Sequence, residues 1–227
     1  MDRDETPVGG LRSPLQPTRQ LFVVTIIMDI LALLLGAWIS PWFSLGIFIY
    51  IIASRAYSYR GIRIKKYPVA GFLTVFIFQG AHVYFFSVHA LEHTPVFQTE
   101  FLPALISSLL IGALYPLTQV YQHEEDKKDG VTTISYLLGK KGSFVFSMLL
   151  FLSATVLMYL LFKERGQLKF FYFFLGFMFP VVSFFLYWMN SVWKDGTKAD
   201  FKHSMIMNMI STLCTTAYFL FLNFSQY

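Results

Sequence analysis

Long apolar runs are the feature that most constrains how this chain can fold. Five of them are close to the roughly 20 residues that cross a bilayer as a helix, and they cover residues 68–90, 102–121, 142–162, 170–189 and 205–224. Only 14% of the residues are charged, whereas soluble domains carry about 25%. The sequence therefore predicts an all-α, polytopic membrane helix bundle.

A sixth apolar stretch, residues 21–54, is too long for one span. It contains Asp29 and is broken by Ser40-Pro41. We divide it there into two spans, 21–39 and 42–54. This division brings the prediction to seven transmembrane helices.

The distribution of basic residues supports this count, because loops on the cytoplasmic side of a membrane collect Lys and Arg. Seven spans place all 18 basic residues on one side except Lys163, Arg165 and Lys169. We therefore expect a cytoplasmic N-terminus and an external C-terminus, in a protein that we assign to the bacterial inner membrane. The net charge of +5 follows from this topology, so it does not require nucleic acid binding. Nothing in the sequence indicates an oligomeric state.

Three polar segments fall on the same predicted face. Residues 1–5 hold three acids, residues 57–66 are rich in Arg and Lys, and residues 122–130 hold four acids and two lysines. Carboxylates bind Mg²⁺ that also takes substrate phosphate oxygens, and Lys or Arg neutralise the remaining phosphate charge. The segments therefore suit a diphosphate–metal site. The alternative is that they are only solvated loops, which set topology or touch anionic lipid headgroups.

Two of these segments carry recognisable spacing. In the first, the residues are Tyr57-Ser58, Arg63-Ile64-Lys65 and Pro68. In the second, they are Asp126, Gly130, Thr132-Thr133 and Leu137-Leu138-Gly139. The first set is similar to the YS…RLK…P segment, and the second to the D…G…T…LG part of the second aspartate motif, of the UbiA superfamily of intramembrane prenyltransferases. On these residues the chain resembles that superfamily over essentially its whole length.

The resemblance implies Mg²⁺-dependent transfer of a prenyl group from an isoprenyl diphosphate to an aromatic or other lipophilic acceptor in the bilayer. It implies metal ligands at Asp2, Asp4, Glu125 and Asp126. It implies diphosphate-binding residues at Arg60, Arg63, Lys65 and Gln122. The catalytic residues would be Lys65, Tyr57 and Asp126.

The chain departs from the family pattern in two places. Gln122 stands where the first aspartate of the DxxxD motif is expected, and a neutral amide is a poor Mg²⁺ ligand. The seven spans correspond to the last seven of nine helices, so Asp2 and Asp4 fall at the later acids of the first motif. We therefore expect one prenyltransferase domain over residues 1–227 that is N-terminally truncated or starts at a misassigned methionine.

Two other classes of function stay open at this point. One is a catalytically inactive membrane scaffold or lipid-binding protein that keeps the fold, which Gln122 would suit. The other is a small transporter with Asp29 and the interior histidines on its path, because an ionisable residue inside a span is a functional candidate. Asp29 could equally be a structural residue that hydrogen-bonds a neighbouring helix. The concentration of polar residues in loops on one face disfavours the transporter.

Overall fold

A computed structural model of the chain describes residues 18–92 and 100–225, and every regular element in these residues is helical. The helices are α1 (Arg19–Ile39), α2 (Pro41–Ser58), α3 (Pro68–Val75), α4 (Val83–Glu92), α5 (Phe101–Leu114), α6 (His123–Lys128), α7 (Ile134–Glu164), α8 (Leu168–Lys194) and α9 (Phe201–Ser225). The π-helical segment Phe76–His82 joins α3 to α4. The predicted all-α fold class is confirmed.

Six helical segments are long and apolar enough to cross a membrane. They are Arg19–Ile39, Pro68–Glu92, Phe101–Thr118, Ile134–Glu164, Leu168–Lys194 and Phe201–Ser225. The predicted span 42–54 forms α2, an 18-residue helix that packs on α1 but is not among the six. Its apolar run is shortened by Arg55 and by the polar residues at both ends. The structure therefore supports a polytopic bundle with six clear spans and a seventh, more polar helix.

Ser40 makes the turn between α1 and α2. Its backbone N–H donates to Gly36 O at 3.0 Å, and its hydroxyl accepts from Phe43 N at 3.2 Å, which caps the start of α2. A Cβ on Gly36 would lie 2.6 Å from the side chain of Ile47. The missing side chain thus lets the two helices approach closely beside the turn.

The π-helical segment Phe76–His82 results from a close contact with α5. A Cβ on Gly80 would lie 2.3 Å from the Cα of Ser108, and the Ser108 hydroxyl accepts from Ala81 N at 2.8 Å. His82 Nε2 lies 2.9 Å from Gly46 O of α2. These contacts replace regular helical hydrogen bonding over about two turns, as π-helical bulges do.

Helix α7 begins eight residues before the predicted span 142–162. The Thr133 hydroxyl accepts from Tyr136 N at 3.2 Å and caps the helix. Gly139, with a φ of 70°, kinks it, and this left-handed conformation favours glycine. The prediction missed the first segment because Gly139, Lys140 and Lys141 interrupt the apolar pattern between it and the apolar span.

The buried core lies among α5, α7, α8 and α9, and its largest fully buried side chains are Trp188, Tyr218 and Phe144. Helix α1 packs chiefly on α2 and leaves most of its apolar side chains exposed, which suits contact with lipid tails. Arg55 of α2 donates to Asp29 of α1, with Nε 3.1 Å from Oδ2. The polar group in the first span therefore pairs with the neighbouring helix.

Three connections meet at one end of the bundle. Thr132 N donates to Lys66 O at 3.3 Å, which joins the segment after α2 to the segment after α6. Lys140 Nζ donates to Gly196 O at 2.9 Å, which brings the connection between α8 and α9 to the same end. At the opposite end, Arg165 pairs with Glu100 at 3.6 Å. Within the described residues, the polar segments predicted to act together are thus gathered at one end.

Candidate functional site

The last turn of α2 presents Tyr57 to the polar end of the bundle. Tyr50, Ser54 and Tyr57 are spaced by four and three residues, so they share one helix face. That face lines a cavity of about 50 Å³, whose other walls come from the second long span: Thr74, Val75, Phe78 and Gln79. Tyr57 therefore lies where the cavity meets the polar segments.

The connection from α2 to α3 places cationic residues beside Tyr57. The carbonyl of Tyr59 accepts from Ile62 N at 3.0 Å and from Arg63 N at 2.6 Å, which closes a tight turn. Arg63 then adopts a φ of 49°, a conformation uncommon for a residue with a side chain. A 3-10 turn over Ile64–Lys66 follows, so the chain is bent around the arginine.

Arg63 links this connection to the acidic segment. Its guanidinium donates to Asp129 Oδ2 at 2.5 Å and to Asp129 O at 3.4 Å, while only 12% of the Arg63 side chain is exposed. The hydrogen bond from Arg63 holds the pKa of Asp129 below its ordinary value, and the charges of Arg63, Arg60 and Lys65 lower it further, against the opposing effect of burial. Arg63 contacts this carboxylate, and the positive charges of Arg60 and Lys65 are near enough to act on it.

The segment after α6 orients Asp126. Gly130, with a φ of 64°, reverses the chain, and Val131 N donates to Asp126 O at 2.8 Å. The Thr133 hydroxyl lies 3.3 Å from Asp126 Oδ2. Because Thr133 also caps α7, the carboxylate of Asp126 is fixed relative to that helix.

Two tyrosines that the prediction did not include lie beside these residues. Tyr115 OH hydrogen-bonds Tyr57 OH and accepts from Gln119 Nε2 at 2.9 Å. Tyr121 OH accepts from Gln122 Nε2 at 3.1 Å. Burial raises the pKa of Tyr121, and the negative charge of Asp126 raises it further, against the hydrogen bond from Gln122. The hydrogen bond from Gln122 joins Tyr121 to the start of the acidic segment.

His123 anchors α6 to the kinked start of α7. Its Nε2 lies 2.8 Å from the hydroxyl of Ser135, which lies 2.9 Å from that of Ser143, and Ser143 donates to Gly139 O at 2.8 Å. Burial, with the positive charge of Lys140, lowers the pKa of His123 to about 4. The imidazole is therefore neutral near pH 7 and acts as a hydrogen-bonding anchor.

The two motif segments hold most of the predicted site residues. Tyr57, Arg60, Arg63, Lys65, Gln122 and Asp126 lie in the two segments just described. Glu125 pairs with Lys128 at 2.7 Å, and the Lys128 side chain is 71% exposed. Asp2 and Asp4 lie outside the described residues. Within residues 18–92 and 100–225 there is no group of three or more His, Cys, Asp or Glu side chains that could hold a metal.

Sequence reasoning missed Asp129, Tyr115, Gln119 and Tyr121. Asp129 precedes the motif glycine at a position that the family pattern does not specify. Tyr115, Gln119 and Gln122 are spaced like one helix face directly before the acidic segment. That spacing was a signal, but the contact with Tyr57 of α2 is between helices, so the sequence of one helix could not show it.

The sequence of the chain matches the profile of a known family over nearly its whole length. The profile of the UbiA prenyltransferase family matches residues 2–211. The chain belongs to the UbiA prenyltransferase family. Comparisons with curated proteins and with solved structures found no match.

Family membership confirms the resemblance predicted from the two motif segments. UbiA prenyltransferases act in membranes, use prenyl diphosphates with lipophilic acceptors and generally use Mg²⁺. Together with the six long apolar helices, membership identifies the chain as an integral membrane protein of a prenyltransferase family.

Proposed function

We propose that this UbiA protein transfers a prenyl group from an isoprenyl diphosphate to a lipophilic, aromatic acceptor, with Mg²⁺. One observation carries the proposal. Arg63 contacts Asp129 across the two motif segments, and Arg60 and Lys65 act on the same carboxylate. Three cations on one connection suit a diphosphate, because they offer several donors to several oxygens.

The diphosphate would bind to Arg60, Arg63 and Lys65. An arginine guanidinium can donate two parallel hydrogen bonds to phosphate oxygens, whereas a lysine ammonium acts as a compact charge. Gln122 would donate its amide N–H to a phosphate oxygen, and this role suits a neutral side chain better than metal binding. When the substrate binds, the Arg63 guanidinium would leave Asp129 and donate its hydrogen bonds to the diphosphate.

The described residues fit a limited metal-binding role. Mg²⁺ keeps several waters and is commonly bound by one or two carboxylates together with substrate phosphates, and Asp126 is the oriented carboxylate of this site. Bound Mg²⁺ would neutralise charge on the diphosphate. Glu125 could join only after leaving Lys128. Asp2 and Asp4 remain proposed ligands outside the described residues.

The reaction needs the allylic C–O bond to break and the electron pair to leave with the diphosphate. Donors aimed at the oxygen where negative charge develops stabilise such a transition state, and we assign this role to Lys65 and Tyr57. The aromatic rings of Tyr50, Tyr57 and Phe78 line the adjoining cavity, and ring faces stabilise a nearby cation. A nucleophilic carbon of the acceptor would then form the new C–C bond and release a proton.

We further propose that the polar end of the bundle is cytoplasmic and that the membrane is the bacterial inner membrane. The basic residues of the loops at this end support this orientation. We also propose that residues 1–227 form a single prenyltransferase domain. The match of the family profile over residues 2–211 supports this.

An inactive scaffold is the second candidate function. Gln122 favours it, because a neutral amide stands at a motif position where the family pattern has an aspartate. A scaffold would keep the bundle and the contact between Arg63 and Asp129 without turnover. Measured turnover therefore separates the two candidates.

The test is prenyl transfer by the purified full chain in lipid nanodiscs. Radiolabelled isoprenyl diphosphates of several chain lengths are supplied with Mg²⁺ and a panel of aromatic acceptors, and the labelled product is extracted. We expect product from the unaltered protein. Lys65→Met and Asp126→Asn should each lower the rate by about 100-fold or more, since the first removes a cation that stabilises the leaving group and the second removes a carboxylate that would hold Mg²⁺.

Lys198→Ala is the matched control, because Lys198 is an exposed lysine at the same end of the bundle but outside the motif segments. Its rate should match that of the unaltered protein. No product with any donor and acceptor, from protein that is folded and carries Mg²⁺, would contradict the proposed transferase and favour the scaffold.

A further inference from the structure

Three polar side chains form a continuous chain of hydrogen bonds behind the proposed site. Gln119 is buried, with 6% of its surface exposed, and its Nε2 lies 2.9 Å from Tyr115 OH. Tyr115 OH in turn hydrogen-bonds Tyr57 OH. The chain thus runs from the protein interior to the residue at the mouth of the cavity.

The direction of one of these hydrogen bonds is fixed by chemistry. The amide N–H of Gln119 can only donate, so the Tyr115 oxygen accepts from it. Either tyrosine hydroxyl could donate in the second bond, and we assign Tyr115 as its donor because the Tyr115 oxygen already accepts from Gln119. Tyr57 then directs its own proton away from Tyr115, toward the cavity and the motif segments.

Contacts other than the one with Tyr57 fix the position of Tyr115. It starts a 3-10 turn that Pro116 forces at the end of α5, and its ring lies 6.3 Å from that of Phe72. The hydroxyl of Thr118 donates to Tyr115 O at 2.7 Å. The position of the Tyr115 hydroxyl is therefore set by backbone and ring contacts that do not involve Tyr57.

The second polar atom of the Gln119 side chain makes no hydrogen bond in the described part of the chain. Its Oε1 is buried and has no hydrogen-bond partner within residues 18–92 and 100–225. A buried amide that is only half satisfied lowers stability, since each unmade hydrogen bond of a buried polar group costs free energy. The only side-chain hydrogen bond of Gln119 in these residues is the one to Tyr115.

We infer that Tyr115, supported by Gln119, is a positioning residue that directs the Tyr57 hydroxyl proton toward the oxygen of the departing diphosphate. The inference rests on the proposed function and extends it to residues that the family motifs do not include. A preoriented donor needs no rearrangement while negative charge develops on the leaving oxygen. Tyr115 itself touches neither substrate nor metal.

The test is a double-mutant cycle on the purified full chain, with prenyl transfer as the readout. Tyr57→Phe should lower kcat by about 100-fold, the typical effect of one transition-state hydrogen-bond donor. Tyr115→Phe should lower kcat by about 5- to 20-fold and leave KM for the isoprenyl diphosphate unchanged. Tyr57→Phe/Tyr115→Phe should equal Tyr57→Phe alone, because residues that act through one group are not additive.

Two further variants test whether a lower kcat reflects the lost hydrogen bond or only a disturbed structure. Gln119→Met keeps the size of the side chain without its hydrogen bond and leaves Tyr115 in place, so it should reproduce a part of the Tyr115→Phe effect on kcat. Tyr218→Phe is the matched control. It removes the hydroxyl of another buried tyrosine, which donates to Phe170 O at 3.2 Å, and it should leave kcat unchanged.

Any other outcome contradicts either this inference or the proposed function. Additive effects of Tyr57→Phe and Tyr115→Phe would show that Tyr115 does not act through Tyr57, and the inference would fall. A Tyr115→Phe variant or a Gln119→Met variant with the unaltered rate would also overturn it, while the proposed transferase would stand. Absence of turnover in the unaltered protein would instead overturn the proposed function together with this inference.

Discussion

At the scale of single residues, Arg63 has two competing anionic partners in the proposed function. In the structure it donates to Asp129, and in the complex it would donate to the diphosphate. Asp129 keeps its negative charge because the hydrogen bond from Arg63 lowers its pKa. The Asp129 carboxylate therefore competes with the substrate for Arg63.

We expect Asp129→Asn to lower KM for the isoprenyl diphosphate by about two- to five-fold. An ion pair with an exposed partner contributes about 0.2–1 kcal/mol, and Asp129 is 44% exposed. Initial rates against donor concentration measure the change. Asp195→Asn, which removes another exposed carboxylate at this end of the bundle, is the control. An unchanged or higher KM in Asp129→Asn would show that Asp129 does not compete for Arg63.

At the scale of helices, the connection between α6 and α7 depends on a neutral histidine. The His123 pKa is about 4 in the folded protein, whereas an ordinary histidine has a pKa of about 6.5. Between these values the unfolded chain binds more protons than the folded chain. Stability is therefore fully present above about pH 6.5 and falls as the pH drops toward 4.

His123→Gln should remove that part of the pH dependence. Glutamine can still hydrogen-bond Ser135 but does not titrate. Thermal unfolding followed by tryptophan fluorescence at pH 7 and pH 5 gives the comparison, and Tm of the unaltered protein should fall more than Tm of the variant. The other histidines change Tm equally in both proteins, so their contribution cancels in the comparison. Equal falls would mean that His123 is not held neutral by its surroundings.

The helices also show which parts of the fold a sequence can predict. Except at the start of α7, the apolar runs placed the ends of the long spans within about five residues, because bilayer thickness and residue hydropathy determine them. The π-helical segment Phe76–His82 was not predictable, since its apolar residues would suit an α-helix equally. It arises from the contact between Gly80 and Ser108, which brings together two helices that are apart in sequence.

The candidate site was predictable to a similar extent. Lys65 and Asp126 followed from the motif spacing, whose order along the chain matches the family. Tyr115 and Asp129 did not, because their roles depend on contacts with α2 and with the segment after it. A pattern within one segment does not specify which residues of another segment it will meet.

At the scale of the whole molecule, the bundle separates a polar end from an apolar body. The core is formed by α5, α7, α8 and α9, and α1 and α2 join it mainly through the second long span. The cavity lined by Tyr57 lies between α2 and that span. This position suits a lipophilic substrate whose charged head stays at the polar end while its tail enters the bilayer.

Ionisation of the isoprenyl diphosphate is the central claim, and it can be measured without knowing the acceptor. Donor labelled with ¹⁸O in the bridging C–O–P position is incubated with the full chain in nanodiscs and Mg²⁺, without acceptor. Reversible cleavage of the C–O bond moves the label into non-bridging positions, which ³¹P NMR detects. We predict label exchange by the unaltered protein and its loss in Lys65→Met and Asp126→Asn. Binding of the donor without any exchange, at every prenyl length, would contradict the account.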